Sequence, residues 1–162
     1  MGHDVTWIDS PAAASSPGTG AGRAGGGEAL VVVGVDASDS SRDALRWAGR
    51  YAALTGAPLV VVHAWNLRDE QVWLQPLPPP APQQAVAREE MAKMVDEDVP
   101  LEVTVHAALV EGHATKVLVD TAGPGDLLVV GSHGRGGFDH LVIGSVAAQC
   151  VAHARCPVVV VR

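Results

Sequence analysis

Valine and leucine recur along this chain in short unbroken runs rather than at alternate positions. Residues 29–35 read ALVVVGV, residues 59–65 LVVVHAW, residues 127–130 LLVV and residues 157–161 PVVVV. A strand that is apolar at every position needs cover on both faces, as strands inside a parallel sheet have. Residues 101–109 alternate in part, which predicts an edge strand. The intervening segments change to helical spacing. Within 40–54, Leu45, Ala48 and Ala52 form one stripe with Trp47 and Tyr51 beside it. Ser40 with Asp43 makes an S-x-x-D capping arrangement, and Gly56 and Pro58 stop the helix. Residues 85–95 form a short amphipathic helix through Ala85, Val86, Ala87, Met91 and Met94. A third helix spans 113–122, with Val117, Leu118 and Thr121 inward, and a fourth spans 145–154. Strands alternating with helices predict an α/β fold, an open parallel five-stranded sheet with helices on both faces and right-handed crossovers. There is no internal repeat.

Two stretches break this rhythm. Residues 1–28 are rich in Gly, Pro, Ala and Ser and are predicted to be a disordered leader, which leaves 29–162 as a single domain. The leader contains Gly20, Gly22 and Gly25 at G-x-G-x-x-G spacing, but the match precedes a strand and opens no helix, so it is no dinucleotide fingerprint. Residues 74–82 hold five prolines and are predicted to be an extended loop.

Composition narrows the classes. The chain has 162 residues, is 48% hydrophobic and carries a net charge of −7. No basic face is visible, which argues against a nucleic-acid partner. No apolar run is long enough to span a bilayer, so no membrane partner is expected and the predicted location is cytoplasmic. Cys150 and Cys156 are the only cysteines and read as reduced thiols. The start at Met1-Gly2 formally fits a myristoylation signal and is read as chance.

The candidate chemistry lies in residues 131–145, GSHGRGGFDHLVIGS, between a predicted strand and a predicted helix. Glycines in that context let backbone N–H groups converge on an anion. The P-loop pattern fails because Gly137 stands where its lysine belongs, and G-x-G-x-x-G fails at Asp139. What is present is G-x2-G-x9-G-[ST], formed by Gly131, Gly134, Gly144 and Ser145. His133 and His140 do not have the spacing of a zinc pair, and no cysteine joins them. His63 and His106 read as packed strand residues, and Trp47 and Trp65 as packing rather than stacking platforms. Trp7 and Trp73 fall in predicted loops.

That motif, with Val33-Gly34-Val35-Asp36-Ala37-Ser38, Val62-His63-Ala64 and Val110-Glu111-Gly112-His113 in order before it, resembles the ATP-binding branch of the universal stress protein family over residues 29–162. The resemblance implies a flavodoxin- or Rossmann-like sheet of strand order 3-2-1-4-5. Strands 1 and 4 are then neighbours whose connections diverge, and a crevice opens at their carboxyl ends. It further implies ATP with Mg²⁺ as ligand. Gly34 and Val35 would line the adenine end with backbone groups, and Ala64 would meet the adenine face. Asp36 would accept a ribose hydroxyl or hold Mg²⁺ through water; its plainer role is to cap a turn. Val130 and Gly131 would pass beneath the ribose, and His133, Gly134 and Arg135 would begin the phosphate loop, Arg135 either meeting the γ-phosphate or facing solvent. Gly144, Ser145 and Val146 would offer N–H groups at the helix start, and Ser145 a hydroxyl. Ala147 departs from relatives with a hydroxyl residue at that position. A homodimer through Val158, Val159, Val160 and Val161 is also implied, the apolar edge strand inviting pairing.

A P-loop lysine, a second metal-holding carboxylate and an arginine finger are all missing from the pattern. Slow hydrolysis at most is expected, with function residing in nucleotide-dependent conformation and binding to a protein partner. Three rivals stand beside this reading. A nucleotide-independent adaptor of the same fold is disfavoured by the intact Gly131, Gly134, Gly144 and Ser145 set. An adenylate-forming enzyme is disfavoured because residues 35–39 lack an S-G-G-x-D loop. A sensor of another adenine nucleotide stays open, since the adenine end consists of backbone and small apolar residues.

Overall fold

A computed structural model describes residues 2–9, 28–65, 80–134 and 143–162. The elements are β1 (Val5–Trp7), β2 (Val31–Gly34), α1 (Asp39–Thr55), β3 (Leu59–Trp65), α2 (Pro80–Asp98), β4 (Val105–Glu111), α3 (Ala114–Thr121), β5 (Leu127–Gly131), α4 (Ser145–His153) and β6 (Val158–Val161). They build one sheet ordered β1-β4-β3-β2-β5-β6, with every neighbouring pair parallel. The last five strands, counted among themselves, take the expected order 3-2-1-4-5.

The unbroken valine runs are explained by two apolar layers. Val31, Val33, Val61 and Val129 point to one face, against Leu45, Ala48 and Ala52 of α1 and Met91, Met94 and Val95 of α2. Val32, Val60, Val62, Leu128 and Val130 point to the other, against Leu118 of α3 and Ala147 and Cys150 of α4. Both cysteines are free thiols. Burial, with the charge of Cys156 nearby, pushes Cys150 up to about 11; burial, with Asp126 nearby, raises Cys156 as well.

Four expectations are corrected. The first concerns part of the leader and the loop predicted at Trp7: Val5–Trp7 form a strand that pairs in register with Val105–Ala107 of β4, while residues 10–27 lie outside the described residues. Second, among the described residues the sheet has six strands and β4 is not at its edge, since β1 covers it. Third, the strand predicted at 101–109 lies at Val105–Glu111, because residues 101–103 are spent on a turn closed by Val103 N–H donating to the Pro100 carbonyl at 3.1 Å. Fourth, the helix predicted at 85–95 runs from Pro80 to Asp98. Proline is tolerated in a first helical turn, where no intrahelical acceptor awaits its missing N–H. Residues 74–79 of the proline-rich stretch, the glycine triplet at 20–25 and Trp73 lie outside the described residues.

An ion-pair cluster joins α1 to α2. Asp98 accepts from Arg42 Nε at 2.9 Å and Arg46 Nε at 2.8 Å, while Glu97 accepts from Arg42 Nη2 at 2.6 Å. Hydrogen bonds to Glu97 and then Asp98 raise the Arg42 pKa above its ordinary value. Both guanidinium groups are therefore committed here.

Candidate nucleotide-binding crevice

β2 and β5 lie side by side at the centre of the sheet, Val33 opposite Val129. Beyond their carboxyl ends the chain enters α1 on one face and α4 on the other. This divergence is the topological switch point at which open α/β sheets bind ligands.

The β2 side is a tight turn. Asp36 Oδ1 accepts from Ser38 N–H at 3.0 Å and from Ser38 Oγ at 2.5 Å. Ser38 Oγ in turn caps α1 by accepting from Ser41 N–H at 3.2 Å. Ser41 Oγ donates to the Ser38 carbonyl at 2.9 Å and accepts from Asp36 N–H at 3.3 Å. Ala37 sits at φ 64°, a left-handed conformation uncommon outside glycine, held by the bonds on either side. The helix cap is thus Ser38 rather than the expected Ser40. Asp43 pairs with Arg46 instead of closing a capping box.

The β5 side is the glycine loop, pinned at its base. Gly144 N–H donates to the Ser132 carbonyl at 2.6 Å, bringing the end of β5 and the start of α4 together, and Ser132 N–H donates to the Val161 carbonyl at 2.7 Å. A Cβ on Gly144 would stand 3.1 Å from that Ser132 oxygen. Ser132 Oγ lies 2.9 Å from His133 Nδ1, and His133 N–H donates to Ser40 Oγ at 3.2 Å. A Cβ on Gly134 would lie 2.9 Å from Asp36 Oδ2. The two sides of the crevice therefore meet at Asp36 and Gly134.

Most expected site residues gather here. Gly34 ends β2 and Val35 and Asp36 follow it, Val130 and Gly131 end β5, His133 and Gly134 follow, and Gly144, Ser145 and Val146 open α4. Ala64 lies one strand away, half-buried on the α3–α4 face. Arg135 and His140 lie outside the described residues. Two expected donors are already engaged. Val35 N–H donates to the Val62 carbonyl at 2.9 Å, and Gly144 N–H is the bond just described. The Val35 carbonyl accepts from His63 Nδ1 at 2.8 Å, which places the proton on that nitrogen. His63 is thus a packed strand-end residue. Asp36 does anchor a turn through one oxygen, the plainer of its two expected roles.

The α4 start offers different donors. Gly144 is its N-cap and has no side chain with which to bond the first-turn amides. The N–H groups of Ser145 and Val146 have no acceptor within the helix, since the first ones never do. Among the described residues no cluster of three His, Cys, Asp or Glu side chains is placed to hold a metal ion. No helix among them is long and apolar enough to cross a membrane.

The hydrogen bonds that Ser38, Ser40, Ser41 and Ser132 make at the crevice are not read from the sequence, which offers Ser40 only as a helix cap. The signal available was the hydroxyl-rich run Ser38-Asp39-Ser40-Ser41 directly after the strand-end aspartate. Nothing local says that Ser40 reaches the amide of His133, 93 residues away.

The sheet order, the switch-point crevice and a glycine loop leading into an uncapped helix define a flavodoxin-like α/β domain with its candidate site between β2 and β5. The universal stress protein family model matches residues 30–162, and the chain belongs to that family. It is 37% identical over 140 residues to universal stress protein Rv2623 of Mycobacterium tuberculosis, covering 82% of this chain and 47% of that protein. The chain thus spans about half the length of the curated relatives it matches. Among solved structures, UspA from Lactobacillus plantarum superposes with a TM-score of 0.65 at 20% identity, covering 83% of this chain and 98% of that one. A universal stress protein in complex with cAMP superposes with a TM-score of 0.57 at 28% identity, covering 83% and 97%.

Proposed function

We propose that this chain is a regulatory universal stress protein that binds ATP with Mg²⁺ in the β2–β5 crevice. It acts through nucleotide-dependent conformation and partner binding, with slow hydrolysis at most. The observation that carries this reading is the start of α4. A helix opens at the switch point from a glycine, its leading amides without a side-chain cap, beside a loop whose glycine touches Asp36. Ser145 and Val146 then present amides to phosphate oxygens, Ser145 adds its hydroxyl, and the loop at His133, Gly134 and Arg135 closes on the tail. Asp36 takes a ribose hydroxyl or a water of the magnesium ion. Gly34 and Ala64 border the base, with Val130 and Gly131 as floor.

A second reading, a cyclic adenine nucleotide in the same crevice, is favoured by the cAMP complex of the 28% identical neighbour. Mass spectrometry of nucleotide released from freshly purified protein, followed by calorimetric titration with ATP and with cAMP, separates the two. Gly144→Val places a branched side chain against the Ser132 carbonyl and across the approach to the α4 amides. It is expected to weaken ATP binding by about 100-fold, within the range of one charge-assisted hydrogen bond. Asp36→Ala is expected to weaken it about 10-fold. If both variants bind as the parent does, the site is elsewhere.

The same reading includes a homodimer. All four residues of β6, Val158–Val161, are only half-buried at the free edge of the sheet. An antiparallel twin would complete that edge. Light scattering at micromolar concentration is expected to give twice the chain mass, and a monomer there removes the dimer from the proposal.

A further inference from the structure

Residues 2–9 lie outside the span matched by the family model yet complete the sheet. Their hold is a short set of contacts. Val5, Thr6 and Trp7 pair with Val105, His106 and Ala107, and Ile8 N–H donates to the Ala107 carbonyl at 2.9 Å. His3 N–H donates to Asp96 Oδ1 at 2.6 Å, and its ring Nε2 donates to the Val99 carbonyl at 2.9 Å. The Arg88 guanidinium lies over the Trp7 ring, 4.9 Å from its centre. Val5 and Trp7 pack toward the α1–α2 layer and Ile8 toward the opposite layer.

This hold is incomplete. None of the described residues 2–9 is fully buried, whereas Val105, Ala107 and Ala108 beneath them are. β4 has seven residues and β1 pairs with three of them. Opposite Thr6, His106 keeps a buried Nδ1 with no hydrogen-bond partner. The join to β2, residues 10–27, contains no apolar side chain larger than alanine or proline.

We propose that the β4 edge with the adjoining face of α2 is a docking groove for an extended peptide segment, and that the N-terminal strand is its built-in, displaceable occupant. Strand addition supplies main-chain hydrogen bonds, and alternate side chains supply specificity. The partner is a segment in β conformation that presents a β-branched or aliphatic residue at the Val5 position and an aromatic ring under Arg88 at the Trp7 position. Between them it carries a polar side chain able to reach His106 Nδ1. β1 competes for the groove as part of the same chain, so the groove opens only to a segment that fits better or when β1 is weakened. The proposal is independent of nucleotide binding.

The test uses the full-length chain and a fluorescein-labelled peptide with the sequence of residues 2–9, followed by fluorescence anisotropy. The parent is expected to bind the peptide weakly. Trp7→Ala in the protein loosens the internal strand while the peptide keeps its tryptophan, and is expected to raise apparent affinity about tenfold or more. Adding Arg88→Ala to that variant, or replacing the peptide's tryptophan by alanine, is expected to abolish the gain. Hydrogen exchange of the Ile8 amide provides a second readout without any variant: it is expected to exchange through a local opening, faster than the β3–β4 amides. No peptide binding by a Trp7→Ala protein that melts near the parent overturns the proposal. So does an Ile8 amide that exchanges only with global unfolding.

Discussion

Gly131→Ala is expected to lower stability by about 3 kcal/mol, the upper part of the range for overpacking a fixed site. In a domain of this size that is a fall in melting temperature of roughly 6–12 °C. The added Cβ would lie 2.6 Å from Ser40 Oγ and 2.7 Å from both the carbon and the oxygen of the Ser40 carbonyl. The hydroxyl can turn away, but the two backbone atoms cannot. They sit in the first turn of α1, which is fixed by the Ser38 cap and by Ser41. Relief requires α1 or the end of β5 to move, and either shift drags the crevice with it. Two other glycines serve as internal controls. At Gly34 the nearest atom is the Leu118 Cδ1 methyl, at 2.8 Å, and at Gly134 it is Asp36 Oδ2, at 2.9 Å; both are ends of side chains. Alanine at either is expected to cost clearly less than at Gly131. Thermal melts of the three variants read this directly, and equal losses would refute the claim that Gly131 is required by main-chain packing.

That contrast bears on what the glycines are for. From sequence, they suggest close approach of a ligand to the main chain. In the fold, Gly131 and Gly144 first allow main chain to approach main chain, α1 against β5 and α4 against Ser132. The anion binding proposed for the loop then rests on where this close packing leaves the amides of Ser145 and Val146. Periodicity alone carries no such information, because the atoms that crowd Gly131 belong to Ser40 of α1 and those that crowd Gly144 belong to Ser132 at the far end of the loop.

The legible parts of the chain were those in which one local pattern has one structural solution. Val31–Val33, Leu59–Val62 and Leu128–Val130 are apolar at every position, and only a sheet covered on both faces buries them all. The strand-end Asp36 and the spacing of Gly131, Gly134, Gly144 and Ser145 fell at the same crevice because both mark carboxyl ends of central strands. β1 was illegible because a three-residue strand preceded by Gly2-His3-Asp4 and followed, after Ile8 and Asp9, by a run of Ser, Pro, Ala and Gly is too short for a periodicity to be read. Its apolar residues, Val5, Trp7 and Ile8, become interpretable only once the β4 edge and Arg88 are in place. The start of α2 was hidden by prolines, which normally end helices but sit here in its first turn. Residues 101–104 misled because Leu101 and Val103 alternate with polar residues inside a turn.

Asp126→Ala is expected to destabilise the protein by about 3–5 kcal/mol, the cost of leaving one buried and one part-buried donor without their charged acceptor. Asp126 is 4% exposed. Its Oδ1 accepts from Leu30 N–H at 2.9 Å, and its Oδ2 accepts from Gly123 N–H at 2.8 Å. The first bond ties the entry of β2 to the residue just before β5, and the second closes the turn out of α3. Next to it, Leu127 N–H donates to the Leu30 carbonyl at 2.9 Å. The two strands that frame the crevice are thus set in register at their amino ends by one carboxylate, a full strand length from the candidate site. Asp126→Asn keeps the shape but offers one acceptor where two are used, and turns an NH₂ toward the other donor. It should recover less than half of the loss. Urea denaturation of both variants, with m compared to the parent, measures this. If Asp126→Asn were as stable as the parent, charge and double acceptance would not be what the clamp requires. If Asp126→Ala kept parental stability but lost nucleotide affinity, the register of β2 and β5 would be held elsewhere and the carboxylate would act on the site by another route.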